Sequence, residues 1–246
     1  MLKALFLDMD ETLCDTRGAN DKAQQLMGLA IEAKFDGVDG QRAASEYVAG
    51  IYREWSSEQR ERYMPIIETQ GEGAFRLQLI RDLFAGQHVD SVTDVDAQAL
   101  QDRFDADRID AFEFYPGIAE FLTQARKLFT LVVITNGPEF SQIPKVKAVK
   151  LADYVDHIII GGQEPEQKPS PSIFEKALRL AGCAAHEVLH VGDSLAADIV
   201  GAYNSGITSV WIQHQQPLDA ELGINPGHTV LHPSEIPALI LGLHGD

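Results

Sequence analysis

Five short apolar runs mark the chain, and each has the length and flanking residues of a buried strand. The first begins almost at the amino terminus, and the other four follow after residue 114. Runs that are apolar throughout, rather than alternating, are typical of parallel strands buried on both faces of a sheet. The predicted strands are Leu2–Leu7, Thr130–Thr135, His157–Gly161, Val188–Gly192 and Thr208–Ile212.

Helical periodicity occupies the intervals between these later strands. Strands that alternate with helices of this length predict βαβ units, and therefore at least five parallel strands with helices on both faces. A serine before the final apolar segment is a suitable N-cap for a closing helix. The predicted helices are Ile118–Leu128, Ile143–Leu151, Ser172–Ala181, Ala196–Ser205 and Ser234–Leu243.

The segment from Thr16 to Ala111 has a different pattern. It lacks convincing strand runs, and its apolar residues recur at helical spacing, with glycine and proline residues between the repeats. We expect four or five helices in this segment. The sequence therefore predicts two domains, an α/β core formed by residues 1–15 and 112–246 and an inserted helical domain formed by residues 16–111.

Charge and composition limit the classes of partner that this 246-residue chain can bind. A formal net charge of −17 disfavours binding to a nucleic-acid polymer or an anionic membrane surface, because both need clustered Lys and Arg. A small anionic ligand would need a local cation. No apolar stretch reaches the roughly 20 residues of a membrane span, and the first strand begins too early for a preceding signal peptide. With only Cys14 and Cys183, we expect reduced thiols and a cytoplasmic location.

The first strand ends in an acidic motif. Asp8 and Asp10 follow it directly, one residue apart, and Thr12 lies just beyond. Ligands of α/β proteins bind in crevices outside the carboxyl ends of parallel strands, so this motif is a candidate site. An acidic turn without a function is the alternative interpretation.

Polar clusters follow the next three predicted strands as well. Because parallel strands share one carboxyl-terminal edge, we expect all four clusters to converge there. Two carboxylates about 4 Å apart repel by about 4 kcal/mol at an effective dielectric constant near 20, so converging acids need a cation. An all-oxygen ligand set beside a phosphate suits Mg²⁺. The three further clusters are Thr135, Asn136 and Gly137, then Lys168, then Asp193 and Asp198.

Four segments together resemble the signature motifs of the haloacid dehalogenase (HAD) superfamily, in the usual order and spacing. The helical insertion is similar to the α-helical cap of its first cap class, C1, so the resemblance covers essentially the whole chain. It implies a Rossmann-like parallel-sheet core and a magnesium-dependent hydrolase. Chain length, the TNG triplet and the cap type are similar to the N-acylneuraminate-9-phosphatase and pyrimidine 5'-nucleotidase branch, with phosphoglycolate phosphatase-like enzymes as an alternative. The four segments are DMDETLCDT, TNG, KPSPSIF and GDSLAADIVGAYNSG.

The resemblance also implies catalytic roles. Asp8 would attack phosphorus and form an aspartyl-phosphate, which divides one displacement into two easier steps. Asp10 would protonate the leaving alkoxide and later deprotonate the attacking water. Both would also bind Mg²⁺, Asp10 through its backbone carbonyl. Thr135 and the backbone of Asn136 and Gly137 would bind the non-bridging phosphoryl oxygens.

Five further residues have roles implied by the same motifs or by their position. Lys168 would bridge the nucleophile and the phosphoryl group, and Asp193 would be the main acidic metal ligand. Asp198 would bind the metal through water or hold one of its ligands, and Thr12 is expected to support the same ligands. His190 lies within a strand pattern, where we expect a structural histidine.

Asp10 distinguishes among the reactions that this superfamily supports. Dehalogenases of the family lack an acid two residues after the nucleophile, because a halide leaves without a proton. The presence of Asp10 favours hydrolysis of a small phosphomonoester, such as a sugar phosphate or a nucleoside monophosphate. A dehalogenase, a phosphomutase and a non-catalytic phospho-ligand sensor on the same scaffold are the alternatives. Glu11 departs from the family pattern, since many relatives carry Gly there, and this leaves the chemical assignment unchanged.

Overall fold

A six-stranded parallel sheet forms the core of one of the two units into which the chain divides. This α/β unit consists of Met1–Thr16 and the chain from Phe112 onward, whereas Arg17–Ala111 form an all-helical unit. The computed structural model describes residues 1–89, 92–219 and 223–245. In chain order its strands and α-helices are β1 (Ala4–Leu7), α1 (Thr16–Lys34), α2 (Gly40–Ile51), α3 (Ser57–Gln70), α4 (Glu72–Ala85), α5 (Asp94–Asp110), α6 (Ile118–Ala125), β2 (Thr130–Thr135), α7 (Glu139–Ala148), β3 (His157–Ile160), α8 (Pro171–Ala181), β4 (Val188–Gly192), α9 (Val200–Asn204), β5 (Thr208–Ile212), β6 (His228–Val230) and α10 (Ile236–Gly245).

The strand order of the sheet is β3-β2-β1-β4-β5-β6, and every neighbouring pair is parallel. β1 lies between β2 and β4, so Ala4 pairs with Thr130 on one side and with Val188 on the other. Every residue of β1 is buried, as an uninterrupted apolar run predicts. The predicted Rossmann-like α/β core with an inserted helical segment is confirmed.

Apolar side chains cover both faces of the sheet. On one face, Phe6 and Ile134 belong to the same buried cluster as Phe174 of α8. Leu5 and Leu7 point to the opposite face, because side chains alternate along a strand, and both are fully buried. Since neither face tolerates an unpaired charge, the acidic residues come only where the strands end.

Three elements differ most from the sequence-based prediction, and the other predicted strands and helices have ends shifted by at most three residues. Ser234, predicted as the N-cap of the closing helix, lies instead within a 3-10 turn over Pro233–Glu235 that precedes α10. β6 is absent from the prediction, because three residues are too few for a recognisable apolar run. α7 begins at Glu139 rather than at the predicted Ile143. The prediction was wrong because proline usually occupies the first turn of a helix, whereas Pro144 lies inside this one. The segment predicted as one helix before β5 is divided, because a π-helical turn over Leu195–Ile199 precedes α9.

The helical unit contains α1 to α5 within the described residues, in agreement with the four or five helices predicted. Its core includes an aromatic cluster of Trp55, Tyr63 and Phe75, whose ring centroids lie 5.2 to 5.7 Å apart. Ser56 caps α3, and its reciprocal hydrogen bonds with Gln59 satisfy backbone groups at the helix start. Within the described ranges, every helix is too short or too polar to cross a membrane.

Phe75→Ala should destabilise the helical unit by about 3–5 kcal/mol, because it leaves a cavity within the aromatic cluster. Phe75 is fully buried and contacts both Trp55 and Tyr63. Chemical unfolding measures the loss. Val95→Ala, at an exposed position of α5, is the control and should change the free energy of unfolding by less than about 0.5 kcal/mol. Equal losses in the two variants would contradict the placement of Phe75 in this core.

Candidate active site

Polar side chains from four loops meet in a cleft of about 240 Å³ at the carboxyl edge of the sheet. Asp8 directly follows β1, Thr135 ends β2 and Asp193 follows β4. The loop between β3 and α8 contributes Lys168. The strand order explains this convergence, because it places β1 between β2 and β4. The cleft is lined by Asp8, Asp10, Glu11, Thr135, Asn136, Lys168, Asp193, Ser194, Ala197 and Asp198.

Lys168 is the cation at the centre of the acidic cluster. Its Nζ lies 2.6 Å from Asp8 Oδ1 and 2.7 Å from Asp198 Oδ1, and only 1% of its side chain is exposed. Burial lowers the pKa of Lys168, but the two carboxylates outweigh burial and hold that pKa above its ordinary value. The side chain of Asn136 fixes the Lys168 backbone, donating to its carbonyl at 2.8 Å and accepting from its N–H at 3.0 Å.

Asp198 is the second carboxylate that holds Lys168. Besides Lys168, its Oδ1 accepts from His190 Nε2 at 2.9 Å, and its Oδ2 accepts from the Ser194 N–H at 3.0 Å. Burial raises the pKa of Asp198, but Lys168 and His190 together lower it to about 2. Gly192 allows this placement, since a Cβ there would lie 2.2 Å from Asp198 Cγ. With both oxygens engaged, Asp198 is suited to orienting its neighbours.

His190 is fully buried within β4, as expected of a structural histidine. Burial lowers its pKa, which favours the neutral ring that donates through Nε2 to Asp198. The residue therefore supports the site from inside the sheet.

Three carboxylates form a group that suits a divalent cation. One oxygen each from Asp8, Asp193 and Asp198 lies within 4.8 Å of the others. Burial and the neighbouring charges raise the pKa of Asp8 to about 7, although Lys168 opposes the shift. The same two causes raise the pKa of Asp193 to about 8. Hard oxygen donors whose charge is incompletely balanced match the chemistry of Mg²⁺, so the residues fit the predicted metal.

Asp10 lies outside that group and is held by three donors. Lys145 Nζ lies 2.8 Å from Oδ1, which also accepts from the Thr16 hydroxyl. Gln142 Nε2 lies 2.7 Å from Oδ2. Burial raises the pKa of Asp10, but Lys145 and the other donors outweigh it and lower that pKa below its ordinary value.

Gln142 and Lys145 are site residues that the sequence analysis missed. Both are buried polar residues on α7, and Gln142 Nε2 also lies 2.6 Å from Thr135 Oγ1. Their spacing of three residues places them on one helix face, and this spacing is the sequence feature that could have identified them as a pair. The prediction that α7 starts at Ile143 excluded Gln142 from the helix and hid this pairing.

Gly137 and Thr12 are the predicted site residues that do not line the cleft. Gly137 has a φ of 116°, and its N–H donates to Gln167 Oε1 at 2.8 Å. Thr12 is fully buried, and its hydroxyl has no hydrogen-bond partner among the described residues. Phosphate binding by the Gly137 backbone and support of the ligands by Thr12 stay predictions.

Glu11 occupies the turn where glycine is usual, with a φ of 57°. This left-handed conformation costs a side-chain-bearing residue about 1–2 kcal/mol. Two contacts offset the cost: the Tyr115 hydroxyl donates to Glu11 Oε2 at 3.1 Å, and His214 Nε2 donates to the Glu11 carbonyl at 2.7 Å. The side chain therefore leaves the acidic motif in place.

Comparison with known proteins decides the family. A model of haloacid dehalogenase-like hydrolases matches residues 2–206 of the chain. This chain belongs to that family. The hydrolase is 27% identical over 241 residues to N-acylneuraminate-9-phosphatase of Rattus norvegicus, covering 97% of this chain and 94% of the relative. It is also 32% identical over 126 residues to pyrimidine 5'-nucleotidase YjjG of Escherichia coli, covering 51% of this chain and 56% of that relative.

A solved structure shows the same fold. The magnesium-bound crystal structure of the HAD-hydrolase YfnB from Bacillus subtilis matches this hydrolase with a TM-score of 0.67 and 18% sequence identity. The match covers 97% of this chain and 98% of the other. The membership of the superfamily and the resemblance to the two named branches are thereby confirmed.

Mg²⁺ should stabilise this hydrolase more at high pH than at low pH. Asp8 and Asp193 have native pKa values raised to about 7 and about 8, whereas both ionise near pH 4 in an unfolded chain. Without metal, their protonated forms favour the folded state fully below about pH 4, and this contribution is lost as pH rises through 7 to 8. A divalent cation replaces those protons, so its effect grows with pH.

Thermal unfolding with and without millimolar Mg²⁺, at about pH 5.5 and about pH 8, measures this difference. Asp193→Asn should remove most of the Mg²⁺-dependent rise in Tm, because it removes a carboxylate from the cluster. An equal rise in Tm at both pH values in the unmodified protein would contradict proton displacement by the metal.

Proposed function

We propose that this hydrolase is a Mg²⁺-dependent phosphatase that cleaves a small phosphomonoester through an aspartyl-phosphate on Asp8. The observation that carries the proposal is the arrangement of Asp8 against Lys168, with Asp10 at the same cleft and the carboxylate cluster beside it. The phosphatase names of the rat and Escherichia coli relatives support the reaction type. The metal would be held by Asp8 and Asp193, with the Asp10 carbonyl as a further ligand.

In the first step, an Asp8 carboxylate oxygen attacks phosphorus, and the bond from phosphorus to the leaving oxygen breaks. Lys168 holds Asp8 Oδ1 and balances negative charge at the reacting centre. Asp10 gives a proton to the leaving alkoxide. The negative charge of the bound phosphate raises the pKa of Asp10, which opposes the lowering by Lys145. When bound, Mg²⁺ would compensate the negative charge of the carboxylates and of the phosphoryl group.

In the second step, water attacks the phosphorus of the aspartyl-phosphate, and the bond from phosphorus to Asp8 breaks. Asp10, ionised after the first step, accepts the proton of that water. The Thr135 hydroxyl donates to a phosphoryl oxygen throughout, and Asn136 keeps the Lys168 backbone in place. Inorganic phosphate is released, and Asp8 and Asp10 return to their starting states.

The substrate class that best fits is a small sugar phosphate or a nucleoside monophosphate. The core motifs would bind only the phosphoryl group. The helical unit would therefore act as the cap that distinguishes one substrate from another. An acid at Asp10 disfavours dehalogenation, since a departing halide needs no proton. This conclusion leaves the phosphomutase and the phospho-ligand sensor as outcomes that the following experiment separates.

Phosphate release should be measured from sugar phosphates, nucleoside monophosphates, small phosphorylated acids and p-nitrophenyl phosphate, with Mg²⁺ and then with chelator. We expect release that depends on Mg²⁺ and is concentrated in one substrate class. Asp8→Asn should abolish turnover while the fold persists, because the amide is a far weaker nucleophile. An active, pure Asp8→Asn protein would contradict the mechanism. A requirement for a bisphosphate activator would indicate a mutase, and binding without release would indicate a sensor.

Lys168→Ala should lower kcat by several orders of magnitude, because Asp8 and Asp198 lose their shared cation. Steady-state kinetics with the best substrate of the panel measures the loss. Lys176→Ala, on α8, is the control, since its ammonium pairs with Glu164 away from the cleft. A loss below about tenfold in Lys168→Ala would remove Lys168 from the catalytic machinery.

A further inference from the structure

We propose that Gln142 and Lys145 of α7 are positioning residues that aim the Asp10 carboxylate and set the direction of the Thr135 hydroxyl. The inference rests on the proposed function, because it takes Asp10 as the proton-transfer group and Thr135 as a phosphoryl ligand. Neither Gln142 nor Lys145 lines the cleft, so both act through the residues that they contact.

Gln142 joins the two groups with one amide nitrogen. Its Nε2 lies 2.7 Å from Asp10 Oδ2 and 2.6 Å from Thr135 Oγ1, and the residue is 2% exposed. An amide nitrogen has two hydrogens and accepts nothing, so these two contacts use both of its donors. A flipped amide would set its oxygen against the Asp10 carboxylate, and this repulsion fixes the amide orientation.

The amide orientation determines what the Thr135 hydroxyl does. Because Thr135 Oγ1 accepts a hydrogen from Gln142, its own hydrogen must point elsewhere. That hydrogen has only a long contact, 3.5 Å from Thr135 Oγ1 to the Asn136 carbonyl oxygen. Because Thr135 also lines the cleft, its hydroxyl can turn that hydrogen to a phosphoryl oxygen bound there. Asp10 thus fixes the orientation of the Gln142 amide, and Gln142 in turn directs the Thr135 hydroxyl to donate to the substrate.

Lys145 fixes the other oxygen of Asp10. Its Nζ lies 2.8 Å from Asp10 Oδ1, and 6% of its side chain is exposed. The ammonium also lies 5.6 Å from the centre of the Phe112 ring, which restricts its position further. With both oxygens held, the Asp10 carboxylate has one orientation for each proton transfer, and a misplacement of about 1 Å can cost about a hundredfold in rate.

Gly137 lets α7 bring this pair close to the sheet edge. A Cβ on Gly137 would lie 3.3 Å from Gln142 Cγ, a tight contact, and its φ of 116° is one that residues with side chains rarely adopt. Pro138 follows at the N-cap position, so α7 starts immediately after the motif that ends β2. The glycine of the TNG triplet therefore positions Gln142 as well.

The role of Lys145 is tested with Lys145→Met, the charge-conserving Lys145→Arg and the control Lys147→Met at an exposed position of the same helix. On the best alkyl phosphate of the panel, Lys145→Met should lower kcat tenfold to about a hundredfold with KM changed less than about threefold. Lys145→Arg should recover most of that loss, and Lys147→Met should match the unmodified protein. A kcat within threefold of the unmodified protein in a folded Lys145→Met would overturn the role.

The burst of product shows which step has slowed. With p-nitrophenyl phosphate, the leaving group needs little protonation, so Lys145→Met should release about one nitrophenolate per active site quickly and then turn over slowly. The slow phase reports the water attack, which still needs Asp10 as a base. If Lys145→Met loses the burst as well as the steady turnover, Lys145 acts on the attack by Asp8, and its assignment to Asp10 is overturned.

The role of Gln142 is tested by phosphate binding, which does not require turnover and which decides the case if Lys145→Met does not fold. Gln142→Met keeps the approximate shape and adds no charge, but it removes the donor that turns the Thr135 hydroxyl hydrogen toward the cleft, so inorganic phosphate should bind to the Mg²⁺-loaded protein about tenfold more weakly in calorimetry. In a Thr135→Val background the same substitution should have at most a small further effect. Unchanged phosphate binding in Gln142→Met would overturn the inference.

The two proposals fail in different ways. If the unmodified protein hydrolyses no phosphate ester of the panel, the proposed phosphatase function has failed, whatever the α7 variants show. If the unmodified protein and Lys147→Met turn over normally while the Lys145 and Gln142 variants do so too, only the positioning role has failed.

Discussion

Repulsion among carboxylates at one sheet edge is the constraint on which the site depends. Asp8, Asp193 and Asp198 converge because β1 and β4 are neighbours, and burial denies them the screening of water. Lys168 balances part of this charge, and burial, together with the neighbouring carboxylates, keeps the pKa of Asp8 and of Asp193 above its ordinary value. The proposed Mg²⁺ would balance the remaining negative charge.

The fold places several supports around this charge cluster. His190 and the Ser194 N–H hold Asp198, so that Asp198 can hold Lys168. Asn136 holds the backbone of Lys168 and thereby connects the ends of β2 and the loop after β3. The contacts of Lys168 with Asp198 and with Asn136 join residues 30 and 32 positions apart, so the geometry of the cleft depends on how the strands are arranged in the sheet.

Asp10 belongs to a second, separate network. Its donors come from α7 and from Thr16 at the start of α1, whereas Asp8 is held by Lys168. Two carboxylates one residue apart therefore have pKa values shifted in opposite directions, because burial outweighs Lys168 at Asp8 and raises its pKa, whereas Lys145 and the other donors outweigh burial at Asp10 and lower its pKa. This separation suits the proposed roles, in which Asp8 would act as the nucleophile and Asp10 would exchange protons.

The sequence determined the parallel sheet, the helical insertion and the polar residues at the strand ends, because buried apolar runs and acids after strands are local patterns. It did not determine β6, which is too short to form such a pattern, or the start of α7, which Pro144 obscures. Only the tertiary structure decided the partners of Asp10. Gln142 and Lys145 look like ordinary helix-surface residues in the sequence, and their role arises because packing buries that face of α7 against the sheet edge.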